Sequence, residues 1–215
     1  MGIVSRFSRQ FFAAATIVCL LTALGICVWW VIVAQGRGSH FEPATSGLAL
    51  VAAITGVYAE RRAAARERRA QALYALADEL VKNTELLGGE GFAPLDPEAP
   101  KARVYPRLVQ SATDAALVSG VFSEPGHDEL IALLHRWRDA AHDFNRRLDL
   151  TELRTYVGAV PAEELLAIDD AMHRPGGQLD GMRRLRGGVE SLMRERYALQ
   201  PGVGARLEGL PGGGG

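Results

Sequence analysis

From Phe11 to Ala34 the chain reads FFAAATIVCLLTALGICVWWVIVA, 24 residues without a charge. As a helix this run is about 36 Å long, enough to cross a hydrocarbon core of about 30 Å with some tilt. Trp29 and Trp30 stand near its C-terminal end, where an aromatic belt lies. A cleaved signal peptide is the rival reading, because Arg6 and Arg9 precede the run. A signal core is shorter, about 7–15 residues, and no convincing small-x-small cleavage site follows. A retained transmembrane helix is the expectation. Myristoylation is set aside, since "MGIVSR" places Arg6 where that signal needs Ser or Thr.

A second apolar run, Gly47 to Ala59, is 13 residues long, and extending it back to Phe41 gives 19 while taking in Glu42 and Pro43. Proline is tolerated in a first helical turn. Ala49, Ala52, Ala53 and Gly56 supply the small-xxx-small spacing that lets helices approach closely in lipid. Charge placement favours a hairpin. Arg6 and Arg9 flank the first run, Arg61, Arg62, Arg66, Arg68 and Arg69 follow the second, and only Arg37 lies between. Basic flanks stay cytoplasmic, so two spans keep both inside, whereas one span would export five arginines.

Those five arginines fit poorly as a salt-bridged helix face. Neither Glu60 nor Glu67 has an arginine three or four residues away, while Arg62/Arg66 and Arg66/Arg69 bring like charges together. Anionic lipid headgroups are the expected partner of Arg61, Arg62, Arg66, Arg68 and Arg69, at roughly 1 kcal/mol per residue near the surface.

Beyond the arginines, Leu73, Leu76, Leu80 and Leu87 share one helix face with Asn83 in register. They are a candidate seam for self-association or for burial in the chain's own bundle. Gly88 and Gly89 stop the helix, and Gly88–Arg103, with three prolines and three glycines, reads as a loop. A second helix is expected from Tyr105–Pro106 to Ser119–Gly120. The strongest follows: Leu130, Leu133, Leu134, Trp137, Ala141, Phe144 and Leu148 form one apolar stripe. Others are expected from Pro161 to "RPGG" and over Leu179–Leu199. No convincing period-2 alternation occurs.

The expected fold is all-α, a transmembrane helical hairpin continuing into a cytoplasmic helical bundle. Its parts are a basic cytoplasmic N-terminus (1–10), transmembrane helix 1 (11–34), an external link (35–40), transmembrane helix 2 (41–59), a cytoplasmic helical domain (60–199) and a disordered Gly-rich tail (200–215).

Chemistry-bearing residues are weighed against simpler roles. His135, Asp139 and His142 share a helix face and are ligand types for a metal, but that face lies opposite the apolar stripe. Glu163–Glu164 and Asp169–Asp170 read as helix-surface acids, with nothing to set two across a cleft. Ser111, Ser119 and Ser123 lack a nucleophile elbow, and "GGEGF" lacks the ending of a phosphate-binding loop. Asn83 and Asn145 lie on or beside apolar faces, where a buried amide needs a partner; a helix-packing hydrogen bond is favoured over ligand contact. Trp137 reads as a core or interface anchor. No catalytic, cofactor-binding or metal-binding residue is expected. The only cysteines, Cys19 and Cys27, lie in the first apolar run, and the net charge of −1 argues against a nucleic-acid partner.

At "LADELVKNTELL" (Leu76–Leu87), "YPRLVQSATDAALVSGVF" (Tyr105–Phe122) and "HDFNRRLDLTEL" (His142–Leu153) the chain resembles a broad group of small bacterial membrane proteins, of actinobacterial look, with N-terminal membrane helices and a helical domain. The resemblance implies a membrane-tethered helical domain with no assigned reaction. The functional expectation is a non-enzymatic, membrane-anchored interaction or scaffold module in the cell membrane, multi-pass with both termini cytoplasmic, whose partner is a further copy or another protein. The alternative is an oligomerising effector that perturbs the bilayer through its hairpin.

Overall fold

The structure, a computed structural model, describes residues 22, 25, 29, 42–158, 160–198, 200 and 202–208; for 42–50 and 208 only the backbone is described. The 11–34 and 35–40 expectations lie outside these residues almost entirely. The described residues are helical with no strand. They divide at Ala64–Ala65 into two units, each described by itself.

In the first unit, the N-terminal half of a 47-residue helix, α1 (Glu42–Gly88), carries the second apolar run. Among the described residues no helix is long and apolar enough to cross a membrane. The expected second span therefore does not stand as an apolar segment of full length, because Glu42 and Pro43 fall within it.

The second unit is a helical bundle. The C-terminal half of α1 is followed by a single 3-10 turn (Glu90–Phe92), then α2 (Ser111–Ser119), α3 (Asp128–Val157), α4 (Ala162–His173), α5 (Gln178–Tyr197) and α6 (Val203–Glu208). Helix α3 packs on α2 and α5, and α5 also packs on α4 and α6. Their stripes close one core: Leu73, Leu76, Leu80 and Leu87 of α1, Leu130, Leu134, Trp137, Ala141, Phe144 and Leu148 of α3, and Leu179, Met182, Val189 and Met193 of α5. Each fully buried leucine contributes roughly 1.5–3 kcal/mol of apolar transfer.

The sequence reading of helix boundaries is corrected at two places. The second helix starts at Ser111, not Tyr105, because the backbone of 105–109 is hydrogen-bonded to side chains of neighbouring helices. It ends at Gly120, whose φ of +63° is the left-handed cap that glycine adopts at little cost. Within the tail expected to be disordered, Val203–Glu208 is helical, and Val203 and Leu207 are wholly buried.

Candidate functional site

Three regions hold the side chains singled out from the sequence. The first is the N-terminal half of α1. Val51, Ile54, Val57 and Tyr58 are 50–61% exposed. Ala52, Ala53 and Gly56 are exposed as well, and a Cβ built on Gly56 would meet nothing within 4 Å. Ala49 is helical, its side chain outside the described set. Arg61, Arg62, Arg66 and Arg68 are exposed; the Arg62 guanidinium lies 5.6 Å from the Tyr58 ring centroid. Arg69 departs from this group. It pairs with Glu124 at 2.8 Å and donates from Nε to the Val121 carbonyl at 3.3 Å, so it belongs to the bundle. Helical spacing hid this, since Glu124 lies 55 positions along the chain.

The second region is a polar clamp inside the bundle. Asn83 of α1 donates from Nδ2 to the Val109 carbonyl and accepts the Val109 N–H on Oδ1, both at 2.8 Å. Asn145 of α3 makes the same pair with Leu108, both at 2.9 Å. Each amide thus meets the donor and acceptor of a single residue, as an antiparallel neighbour does in a sheet. The segment is anchored further by Glu152, which accepts the Tyr105 N–H at 2.7 Å, and by Arg107, whose guanidinium reaches both Glu152 and Asp149. Hydrogen bonding to Glu152 raises the Arg107 guanidinium well above its ordinary value, and Arg107 in turn lowers Glu152. Glu79, buried in α1, accepts the Ala112 N–H at 2.6 Å and the Thr113 hydroxyl at 2.5 Å. It satisfies donors that a helix N-terminus leaves open. Burial raises this carboxyl above its ordinary value, against the opposing hydrogen bonds of Thr113 and Ala112.

Asn83, at 0% exposure, therefore serves helix packing. The seam residues share its fate: Leu73, Leu76, Leu80 and Leu87 are at most 3% exposed. That overturns them as an open self-association surface, because the chain's own helices cover the face.

The third region is the outward face of α3. His142 and Asp139 line an open groove of about 360 Å³ with Gln110, Asp114, Arg138 and Asp143. Arg138 is taken by Asp139 at 2.8 Å, and among the described residues no group of His, Cys, Asp or Glu is placed to hold a metal. His135 is exposed. Further along, the same face turns apolar, with Leu150, Leu153 and Val157 exposed at 58, 61 and 77%.

The acids separate. Glu163 and Asp170 are exposed and Glu164 pairs with Arg154, but Asp169 is only 6% exposed and accepts the Leu95 N–H at 3.0 Å, so it is no surface acid. Trp137, at 0% exposure, is a core anchor, and its Nε1 has no acceptor. Ser111, Ser119 and Ser123 are exposed and assemble no site. Sequence reasoning missed the buried ladder of α5, in which Glu190 pairs with Arg194 at 2.7 Å and Arg186 at 3.6 Å. Its i, i+4 spacing was the available signal.

No family model, no curated protein and no solved structure matches this chain.

Proposed function

We propose that the chain is a non-enzymatic, membrane-anchored helical interaction module. Two N-terminal helices hold it in the cell membrane, and the bundle lies on the cytoplasmic side with both termini. One observation carries this reading: Val51, Ile54, Val57 and Tyr58 are 50–61% exposed, with Ala52 and Ala53 exposed between them, so this stretch of α1 turns apolar side chains outward around most of its circumference. A helix apolar all round is one that lipid or protein buries. Glu42 and Pro43 then lie at the outer interface, and Arg61, Arg62, Arg66 and Arg68 contact anionic headgroups on the inner one. The bundle binds a further copy of the chain or another protein.

The test is topology, with a reporter active only in the cytoplasm fused after Leu199 and, separately, within 35–40. Signal from the first alone is the expected result. Signal from the link, or none from the C-terminal fusion, would sink the hairpin. Release of the chain from membranes by alkaline carbonate would sink the anchor itself.

The open surface at Ala52, Ala53 and Gly56 favours a second reading, in which hairpins pack together and perturb the bilayer. Leakage of vesicle contents on reconstitution, abolished by Gly56→Leu, is its signature.

A further inference from the structure

Helix α6 has six residues, too few to hold helical structure unaided, so its order rests on docking. Val203 and Leu207 bury their side chains completely. Arg206 pairs with Asp78 at 3.1 Å and lies 5.1 Å from the Tyr74 ring centroid, while Arg194 donates to the Leu207 carbonyl. The bed under α6 is thus rimmed by Tyr74 and Asp78 of α1 and Arg194 of α5, and its floor is the main core that Val203 and Leu207 join.

Two further features favour release. Gly202 stands at the entry to the helix with φ of +83°, and as a glycine it can take other backbone conformations at little cost, so it is a joint about which α6 can swing. The Nε of Arg194 is buried without an acceptor, so the docked state leaves a charged donor partly unpaired that water would satisfy on opening.

We propose that α6 is a detachable latch, and that the bed it leaves accepts the same segment from a second copy of the chain. The occupant's chemistry is on the page: apolar side chains four residues apart, Val203 and Leu207, with Arg206 placed for Asp78 and Tyr74. Exchange of latches would join two copies, with Val203 and Leu207 of each filling the same places in the core of the other. The inference stands on the bundle alone, so it can fail while membrane anchoring holds, and the reverse.

The probe is a fluorescein-labelled peptide of the chain's own residues 198–209, titrated onto the full-length protein and its Leu207→Asp variant in detergent. A short tether supplies an effective concentration on the order of 1 mM, so a latch that is mostly closed implies saturable binding in trans below that level. The expected result is binding to Leu207→Asp, with wild type weaker by about tenfold or more because its own latch competes. A peptide carrying Arg206→Glu should bind less tightly. Three outcomes would each overturn the proposal: no binding to a Leu207→Asp variant whose helicity is intact, equal binding to both proteins, or loss of the bundle's helicity in Leu207→Asp, which would make α6 an inseparable part of the core.

Discussion

Residues 51–58 and 73–87 of α1 are both rich in apolar side chains, yet Val51, Ile54, Val57 and Tyr58 stand 50–61% exposed while Leu73, Leu76, Leu80 and Leu87 are at most 3% exposed. The difference lies in angular spread. Around the 3.6-residue period the four leucines gather on one side and leave Lys82 and Glu85 for solvent. The earlier stretch has apolar residues in every direction and no polar side to keep. A stripe can be closed by neighbouring elements, as it is here within the bundle core; a wholly apolar cylinder needs a surrounding medium.

Substitution breaks the comparison most sharply at its two centres. Leu76→Ala should cost the bundle about 3 kcal/mol, as truncations in closed cores do, whereas Ile54→Ala should change it by less than about 0.5 kcal/mol. Urea titration followed by helical circular dichroism reads both, and equal losses would mean that the upper half of α1 is covered by protein. Next in size is Asn83→Ala, which leaves the N–H and C=O of Val109 without partners in the buried half. A loss of about 2 kcal/mol is expected, seen also as faster hydrogen exchange at Val109.

Two carboxylates of the bundle sharpen the contrast through pH. Glu152 is held below its ordinary value of 4.5 by Arg107. Its contribution is therefore present above 4.5 and lost as pH falls through the lowered folded value. Glu79 is raised by burial, so its contribution is present below 4.5 and lost as pH rises through the raised folded value. Glu152→Gln should flatten the acid loss of stability and Glu79→Gln should steepen it; shifts of the same sign would refute the assignment. The smallest effect separates neighbouring arginines. Arg69→Gln should weaken the bundle by less than about 1 kcal/mol, as partly exposed pairs do. Arg68→Gln should leave bundle stability unchanged and instead lower affinity for phosphatidylglycerol vesicles by about 1 kcal/mol.

These contrasts also explain what could be read in advance. The stripe from Leu130 to Leu148 announced α3, because a buried helix face repeats in sequence whatever covers it. Tyr105–Pro106 read as a helix start because proline suits a first turn, but the backbone there is claimed by Asn83, Asn145 and Glu152, which lie 26, 37 and 47 positions away from their partners. Periodicity carries no record of such distant partners. Asp169 looked like an ordinary surface acid until Leu95 was brought to it, and the tail's Gly-rich composition concealed Val203 and Leu207, whose order comes from docking. The asparagines were noticed beside apolar faces, although nothing in the sequence named the peptide units they hold.

Because those amides meet backbone and no side chain, they measure position while ignoring residue type. One residue added among Glu98–Lys101 would lengthen an already irregular loop at small entropic cost and leave both asparagines seated. One residue added between Leu108 and Val109 would push adjacent peptide units apart, and one amide would have to let go. Chain length is thus policed at two adjoining units, while the loop before them is free to grow.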